Sequence, residues 1–341
     1  MSDVIDVESL VKVYPDGTRA VDGVTFRVEA GEMFGFLGPN GAGKTTAIRI
    51  LVTLLPKTSG RAVVGGHEVD RDAERVRQMI GYAGQFIGVD IDLTGRENLV
   101  LQGRLHGLGR READRRADEL LGVVALTDAA GKRAGAYSGG MRRRLDLAQA
   151  LVHRPPLVFL DEPTTGLDPQ TRNALWEQLR EMNAAGTTIF LTTQYMEEAD
   201  RLCRRLAIID HGRLVVEGSP EELKASVGGD VVTLSLADDA DGALVERARS
   251  AVASFPGAGD VKTFDHSVAV PLPDATANLS ALIRRVDEQG IPISKLSVST
   301  PSLDEVFLKY TGERMRVEDT AARPQSSMFA GMRRGSQGGR R

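Results

Sequence analysis

The sequence predicts an α/β fold with two domains of unequal size. A compact apolar strand at 33–37 leads into the glycine-rich segment GPNGAGKT and then into a stretch with helical spacing. Further on, the apolar segment LVFLDEP has the composition of a buried parallel strand and ends in two carboxylates. Beyond residue 230, short strands alternate with helices in a different order. We therefore expect domains at 1–224 and 225–314, followed by a disordered tail at 315–341.

Composition and charge exclude several classes of function. Of the 341 residues, 41% are apolar and 26% are charged, and the net charge of −4 is not the basic footprint of a nucleic-acid-binding protein. The single cysteine, Cys203, excludes an internal disulfide framework and suits the cytosol. No apolar run approaches the ~20 residues of a membrane-spanning helix, and the N-terminus lacks the features of a signal peptide.

The first elements of the chain are short runs typical of β-strands, at 4–30. The strand at 33–37 then enters a segment that fits the pattern GxxxxGK followed by Ser or Thr. In this pattern Lys44 reaches the β- and γ-phosphate oxygens and Thr45 offers its hydroxyl to Mg²⁺. A chance glycine-rich turn is the alternative, but the strand before and the helix after favour a nucleoside triphosphate site. The residues that we expect to contact the nucleotide here are Gly38, Pro39, Asn40, Gly41, Ala42, Gly43, Lys44, Thr45 and Thr46.

Two acids, Asp161 and Glu162, end the strand of LVFLDEP. The carboxyl end of such a strand lies at the crevice where open α/β sheets bind ligands. We expect Asp161 to hold Mg²⁺ through water and Glu162 to accept a proton from the attacking water. Two ordinary strand-end acids are the alternative, and the upstream phosphate-binding loop favours the catalytic interpretation.

The segment YSGGM, followed by a helix-like stretch and LVFLDEP, resembles the signature and Walker B strand of ABC-type ATPases, and the resemblance covers residues 4–220. It implies a P-loop NTPase with a RecA-like α/β core, an N-terminal antiparallel β subdomain and a helical signature subdomain. It also implies a homodimer, because in this family the signature of one subunit completes the ATP site of the other. ATP and Mg²⁺ are the expected cofactors.

The same resemblance assigns roles to residues outside the phosphate loop. Ser138, Gly139 and Gly140 match the signature that caps the γ-phosphate of the opposite subunit's ATP, where small residues let backbone N–H groups approach closely. Asp168, in TGLDP, matches the D-loop that connects the two composite sites.

Two other assignments have simpler alternatives. Gln85 matches the Q-loop glutamine that touches Mg²⁺ and the lytic water, although a solvated loop amide is an alternative. Tyr14 lies where the family stacks an aromatic ring on adenine, although a strand-edge tyrosine explains it equally simply.

Two positions depart from the family pattern. Met141 replaces the usual glutamine of the signature, and a thioether cannot act as an amide does in hydrogen bonding. Gln194, in TTQYMEEAD, replaces the usual switch histidine; it can bond a γ-phosphate oxygen but cannot relay a proton. We favour a site in which Glu162 supplies the base and Gln194 positions the phosphate. A nucleotide-binding regulatory subunit with weak hydrolysis remains the alternative.

The combination of YSGGMRRRLDLA, TTQYMEEAD, AIIDHGR and PSLDEVFL resembles the daunorubicin/doxorubicin-resistance ATP-binding subunits of bacterial exporters. A glutamine at the switch position is usual in that subgroup. This resemblance implies a peripheral protein on the cytoplasmic face of a bacterial membrane, bound to integral membrane permease subunits and not to nucleic acid. A soluble ABC ATPase acting on nucleic acid or ribosomes is the other alternative.

The C-terminal region at 225–314 has the order strand, helix, strand, strand, helix, strand, helix, which resembles a split βαβ, ferredoxin-like module.

In the first domain, the run Arg142–Arg144 after the signature is charged enough to suggest an anion site. We interpret it instead as a helix face salt-bridged to its surroundings.

Overall fold

The computed structural model describes residues 3–237, 241–264, 266–299 and 301–311; the tail predicted at 315–341 lies outside these ranges. The strands are β1 Asp3–Val13, β2 Arg19–Glu29, β3 Met33–Leu37, β4 Ser59–Val64, β5 His67–Glu68, β6 Ile80–Ala83, β7 Leu157–Asp161, β8 Thr188–Thr193, β9 Arg205–Asp210, β10 Arg213–Gly218, β11 Asp230–Ser235, β12 Lys262–Phe264, β13 Ser267–Leu272 and β14 Lys295–Ser299. The helices are α1 Lys44–Leu51, α2 Ala73–Met79, α3 Gly95–Leu105, α4 Arg110–Val123, α5 Gly139–Ala150, α6 Pro169–Ala184, α7 Met196–Leu202, α8 Pro220–Val227, α9 Gly242–Ala253, α10 Ala275–Glu288 and α11 Leu303–Thr311.

The central sheet has the strand order β10-β9-β3-β8-β7-β6. Strands β9, β3, β8, β7 and β6 are parallel, and β10 is antiparallel to β9. Every residue of β3, β7 and β8 is buried, as expected for strands covered on both faces. This sheet is the α/β core that the sequence predicts.

A second sheet, with the order β2-β1-β4-β5, is antiparallel and confirms the predicted N-terminal β subdomain. Its inward-facing residues pack against α1 and against phenylalanines of the central sheet. The ring of Phe26 lies between 5.3 and 5.8 Å from three of those rings, which belong to Phe34, Phe36 and Phe190. The β subdomain therefore packs through aromatic rings on the strand that leads into the phosphate loop.

The helical subdomain consists of α3, α4 and α5. A capping box begins α3, in which the Thr94 side chain accepts from the Glu97 N–H and the Glu97 carboxylate accepts from the Thr94 N–H. Helix α5 begins at Gly139 because Ser138 caps its N-terminus. The signature is thus the start of a helix that runs back towards the central sheet.

The C-terminal sheet has the order β12-β13-β11-β14, and all its pairs are antiparallel. That order is the one expected of the predicted ferredoxin-like module, and its core is formed with α9 and α10.

The last described helix, α11, does not belong to that core. Its buried residues Leu303, Val306 and Phe307 join the hydrophobic core of the first domain, where α11 packs on α7 and α8. The Lys309 ammonium also donates to the Ser226 carbonyl in α8. The domain boundary between residues 224 and 225 remains a prediction. Helix α11 follows that boundary in the sequence but packs on the domain before it. Within the described part of the chain, no helix is long and apolar enough to span a membrane.

Replacing Phe307 with alanine should undock α11, because a cavity in a closed core costs about 3 kcal/mol. The free energy of unfolding from urea titration of the full chain, together with hydrogen exchange in α11, measures this. Phe264, which is 51% exposed, is the matched control, and its replacement by alanine should change the free energy by less than about 0.5 kcal/mol. Equal losses in both variants would contradict the docked arrangement.

Candidate nucleotide-binding site

Backbone geometry explains the glycines of the loop between β3 and α1. Gly43 has φ +103°, and a Cβ there would lie 2.2 Å from the carbonyl oxygen of Ala20. A Cβ on Gly38 would lie 2.3 Å from the carbonyl oxygen of Ile209. Only glycine avoids both the strain and the clash at Gly43. The loop is therefore pressed against the neighbouring backbone and ends at the N-terminus of α1, where partial positive charge favours anions.

Lys44 is buried at the first position of α1, with 3% of its side chain exposed. Its ammonium donates to the carbonyls of Gly38 and Pro39, at 2.7 and 2.9 Å, and lies 3.2 Å from Oε1 of Glu162. Burial lowers the pKa of Lys44, and the Glu162 carboxylate opposes that shift. The structure thus joins the predicted phosphate-binding lysine and the predicted general base in one ion pair.

Asp161 is fully buried at the end of β7. Its Oδ1 accepts from the hydroxyls of Thr192 at 2.6 Å and Thr45 at 3.2 Å, while its Oδ2 has no hydrogen-bond partner among the described residues. Burial raises the pKa of Asp161, and the two hydroxyls oppose the shift. A hydroxyl beside a carboxylate with a spare oxygen is a donor set that suits Mg²⁺.

Glu162 has an unusual backbone, with φ +49°. Its N–H donates to the carbonyl and to the hydroxyl of Thr192, both at 3.1 Å, and its Oε2 accepts from Thr165 at 3.3 Å. A left-handed non-glycine residue costs free energy that its surroundings must offset, and such residues cluster at functional sites. The contacts with Thr192 and Thr165 hold the carboxylate in the direction of Lys44.

A cavity of about 300 Å³ lies over these groups. Its described lining contains most of the residues predicted for the phosphate loop, together with the predicted Gln85 and Glu162 and with Ala20, which was not predicted. The lining residues are Ala20, Asn40, Gly41, Gly43, Lys44, Thr45, Thr46, Gln85 and Glu162. Tyr14 lies beside this cavity, with its hydroxyl 3.3 Å from Oγ1 of Thr46. The glycine cradle, the buried ammonium and the oxygen pair fit a nucleoside triphosphate with Mg²⁺.

Gln194 follows β8 and is buried, and its Oε1 has no hydrogen-bond partner in the part of the chain that the structure describes. The preceding carbonyl, of Thr193, accepts from the Gly38 N–H at 3.2 Å. The predicted switch residue therefore lies next to the start of the phosphate loop, although it is not among the described residues that line the cavity.

The signature and the D-loop lie together elsewhere. The Ser138 hydroxyl accepts from the Met141 N–H at 3.2 Å, and Asp168 caps α6 by accepting from the N–H and the hydroxyl of Thr171 at 3.0 and 2.6 Å. These bonds with Thr171 lower the pKa of Asp168. A Cβ on Gly140 would lie 2.6 Å from Cγ2 of Thr171, so the two segments are in contact. None of the signature residues is among the described residues that line the cavity.

The salt bridging predicted for the arginine run after the signature is present at Arg143, but most bonds of Arg143 and Arg144 go to backbone carbonyls. Arg143 is buried, with an ion pair to Asp146 at 3.1 Å, and three of its bonds go to backbone carbonyls. Arg144 donates to the carbonyls of Val124 and Ala125. Sequence reasoning missed Arg143, and it also missed Thr192 and Thr165. The one available signal was Asp146, which lies three residues after Arg143, a spacing that fits a pair on one helix face.

Comparison with known proteins decides the family. A family model described as "ABC transporter" matches residues 21–165, and one described as "ATP-binding protein DrrA1-3-like, C-terminal domain" matches residues 218–311. The daunorubicin resistance ATP-binding protein DrrA3 of Streptomyces coeruleorubidus is 46% identical over 318 residues, which cover 93% of this chain and 98% of that protein. The chain belongs to the ABC transporter ATP-binding proteins.

Other comparisons agree with this family. The linearmycin resistance ATP-binding protein LnrL of Bacillus subtilis is 35% identical over 92% of this ABC ATP-binding subunit and 100% of its own length. The solved structure of a dimeric bacterial ABC transporter cassette has a TM-score of 0.59 and 27% identity, and covers 63% of this chain and 98% of that one. These matches favour the transporter interpretation over a soluble ATPase acting on nucleic acid or ribosomes. They also support the predicted resemblance to drug-resistance exporter subunits.

Gly43→Ala should lower the affinity of the ABC ATP-binding subunit for MgATP by at least about tenfold, because the added methyl group collides with the Ala20 carbonyl and displaces the loop. The measurement is titration with a fluorescent ATP analogue. Gly186 is a matched control, since it has a similar φ of +98° but no described atom within 4 Å of a Cβ. Gly186→Ala should cost about 1–2 kcal/mol of stability from backbone strain alone and leave MgATP affinity unchanged. Equal affinities in the two variants would contradict the close approach of the loop.

Proposed function

We propose that this chain binds and hydrolyses MgATP as the energising subunit of a bacterial exporter. The observation that carries the proposal is the Lys44–Glu162 pair at the cavity, with Asp161 beside it. Lys44 would neutralise the β- and γ-phosphates, and Thr45 and Asp161 would hold Mg²⁺, with Gln85 as a further contact. Glu162 would orient the attacking water and accept its proton.

The remaining assignments follow from position. Gln194, beside the phosphate loop, would contact a γ-phosphate oxygen without relaying a proton. The backbone of 38–43 and the hydroxyl of Thr46 would surround the phosphates, and Tyr14 would stack on adenine. The distance of Tyr14 from Thr46 supports this placement at the edge of the cavity.

We infer a homodimer with two composite sites. The signature residues Ser138 and Gly139 are exposed at the N-terminus of α5, and they do not line their own chain's cavity. An exposed helix start with small residues can approach the phosphate of a second subunit. Asp168, in contact with the signature through Thr171, would communicate between the two sites. The dimeric cassette that resembles this chain supports the arrangement.

We infer that the chain works at the cytoplasmic face of a bacterial membrane with separate permease subunits. Similarity to DrrA3 and LnrL runs through both domains. Their names refer to daunorubicin and linearmycin resistance, which supports efflux of hydrophobic drugs or lipid-like molecules. The residues of the nucleotide site do not indicate which molecule is exported, so the proposed substrate class rests on these relatives alone.

Glu162→Gln should lower ATP turnover by about 100-fold or more, because an amide cannot accept the proton, while MgATP binding persists. Phosphate release by the full chain, alone and with its permease, measures turnover. Glu181→Gln, at an exposed position of α6, is the control and should match the wild type. Equal turnover in wild type and Glu162→Gln would show that Glu162 is not the base. A wild type that binds MgATP without releasing phosphate under either condition would favour the regulatory alternative.

Gln194→Ala should lower turnover by about tenfold or more, since a bond to a charged oxygen is worth about 1.5–3 kcal/mol. Gln194→His keeps a hydrogen-bond donor, so its turnover should stay within about threefold of the wild type. Both rates come from phosphate release at saturating MgATP. A large gain in the histidine variant would show that proton relay limits the reaction and that positioning alone does not describe this residue.

A further inference from the structure

Helix α5 carries a buried ion pair one turn beyond the signature. Arg143 and Asp146 are both about 6% exposed, and Nη1 of Arg143 lies 3.1 Å from Oδ2 of Asp146. Burial raises the pKa of Asp146, and the Arg143 guanidinium and the Gly88 N–H oppose the shift. Two charges in such a place are expensive unless every polar atom has a partner. The hydrogen-bond partners of Arg143 and Asp146 therefore indicate the role of this ion pair.

The pair bonds the backbone on both sides of Gln85. Nη1 of Arg143 donates to the carbonyl of Gly84 at 2.5 Å. Oδ1 of Asp146 accepts from the N–H of Gly88 at 2.9 Å. The Gln85 side chain is exposed and lines the nucleotide cavity, so its position depends on the backbone that these two bonds fix.

The same guanidinium bonds the backbone on both sides of Glu162. Nη2 of Arg143 donates to the carbonyl of Asp161 at 3.1 Å, and its Nε donates to the carbonyl of Pro163 at 2.9 Å. Glu162 itself has the left-handed backbone described above, which needs support from its neighbours. One side chain therefore supports the loops of two of the predicted catalytic residues, Gln85 and Glu162.

We propose that Arg143 and Asp146 are positioning residues that fix Gln85 and Glu162 relative to the signature helix. This inference rests on the proposed function, because it assumes hydrolysis through Glu162. Since α5 starts at Ser138, a shift of the signature against a second subunit's ATP moves the same helix that holds the catalytic loops. The pair thus connects the state of one ATP site to the geometry of the other.

Arg143→Lys tests the proposal because it keeps the charge beside Asp146 but removes the planar fork that reaches several acceptors. We expect kcat to fall by about 10- to 100-fold, as misplacement of reacting groups by about 1 Å can do, with the dissociation constant for MgATP changed less than about threefold. Phosphate release and titration with a fluorescent ATP analogue give the two quantities for the full chain. Arg144→Lys is the matched control, since among the described residues the hydrogen bonds of Arg144 go to the carbonyls of Val124 and Ala125, away from the catalytic loops. Its kcat should stay near that of the wild type.

A double-mutant cycle separates positioning from a general loss of stability. If Arg143 acts through Gln85, then Arg143→Lys should lower kcat far less in a Gln85→Ala background than in the wild type. Full additivity of the two losses would overturn the role assigned to Arg143 at Gln85, and an unchanged kcat in Arg143→Lys would overturn the whole proposal.

Asp146→Asn removes the charge that holds the Arg143 guanidinium in place, while it keeps the size of the side chain and an acceptor for Gly88. It serves if Arg143→Lys does not fold, and it should lower kcat through Arg143 with preserved MgATP binding. Failure of both variants to fold would assign the pair to the fold and overturn the proposal. If turnover of the wild type does not depend on Glu162, the proposed function is wrong. If turnover depends on Glu162 but Arg143→Lys has a normal kcat, only this inference is wrong.

Discussion

The nucleotide site depends on the parallel register of β3, β8 and β7. Leu37 is paired with Thr193, and Thr192 with Asp161, so three strands end at one level. The hydroxyl of Thr192 then reaches the carboxylate of Asp161, and the carbonyl of Thr193 receives the N–H of Gly38. A slip of one residue would turn these side chains to the opposite face of the sheet. Strand β8 lies between β3 and β7. The phosphate loop after β3, Gln194 after β8 and the acids at the end of β7 therefore form one site.

How far the sequence predicts this arrangement depends on whether a feature is local. The phosphate loop and the acids at 161 and 162 were predictable, because strand, turn and helix signals determine where they lie. The roles of Arg143 and of α11 were not. Consecutive arginines project about 100° apart on a helix, and only the tertiary packing decides which of them points inwards. The order of elements predicted a ferredoxin-like module, but it could not show that α11 would cover α7 and α8.

Much of the buried charge in the described part of the chain lies around the reacting loops. Besides the pairs of Lys44 with Glu162 and Arg143 with Asp146, the fully buried Glu198 of α7 accepts from the indole N–H of Trp176 at 3.0 Å. Burial raises the pKa of Glu198, and the hydroxyl of the neighbouring Thr193 opposes the shift. Apolar residues of the same size would give comparable or greater stability at such positions. The placement of these charges is better explained by the need for fixed geometry around a polyanionic ligand than by stability.

The return of α11 to the first domain has a consequence for biosynthesis. A ribosome releases the N-terminal part of a chain first, and domains commonly fold in that order. Here the core of the nucleotide-binding part lacks Leu303, Val306 and Phe307 until synthesis has passed residue 307. The apolar surface of α7 and α8 stays uncovered during that interval, and closing it requires a contact across a large sequence separation, which is slow to form. A nascent or truncated subunit is thereby marked by exposed apolar surface, the feature by which chaperones and proteases distinguish unfinished proteins.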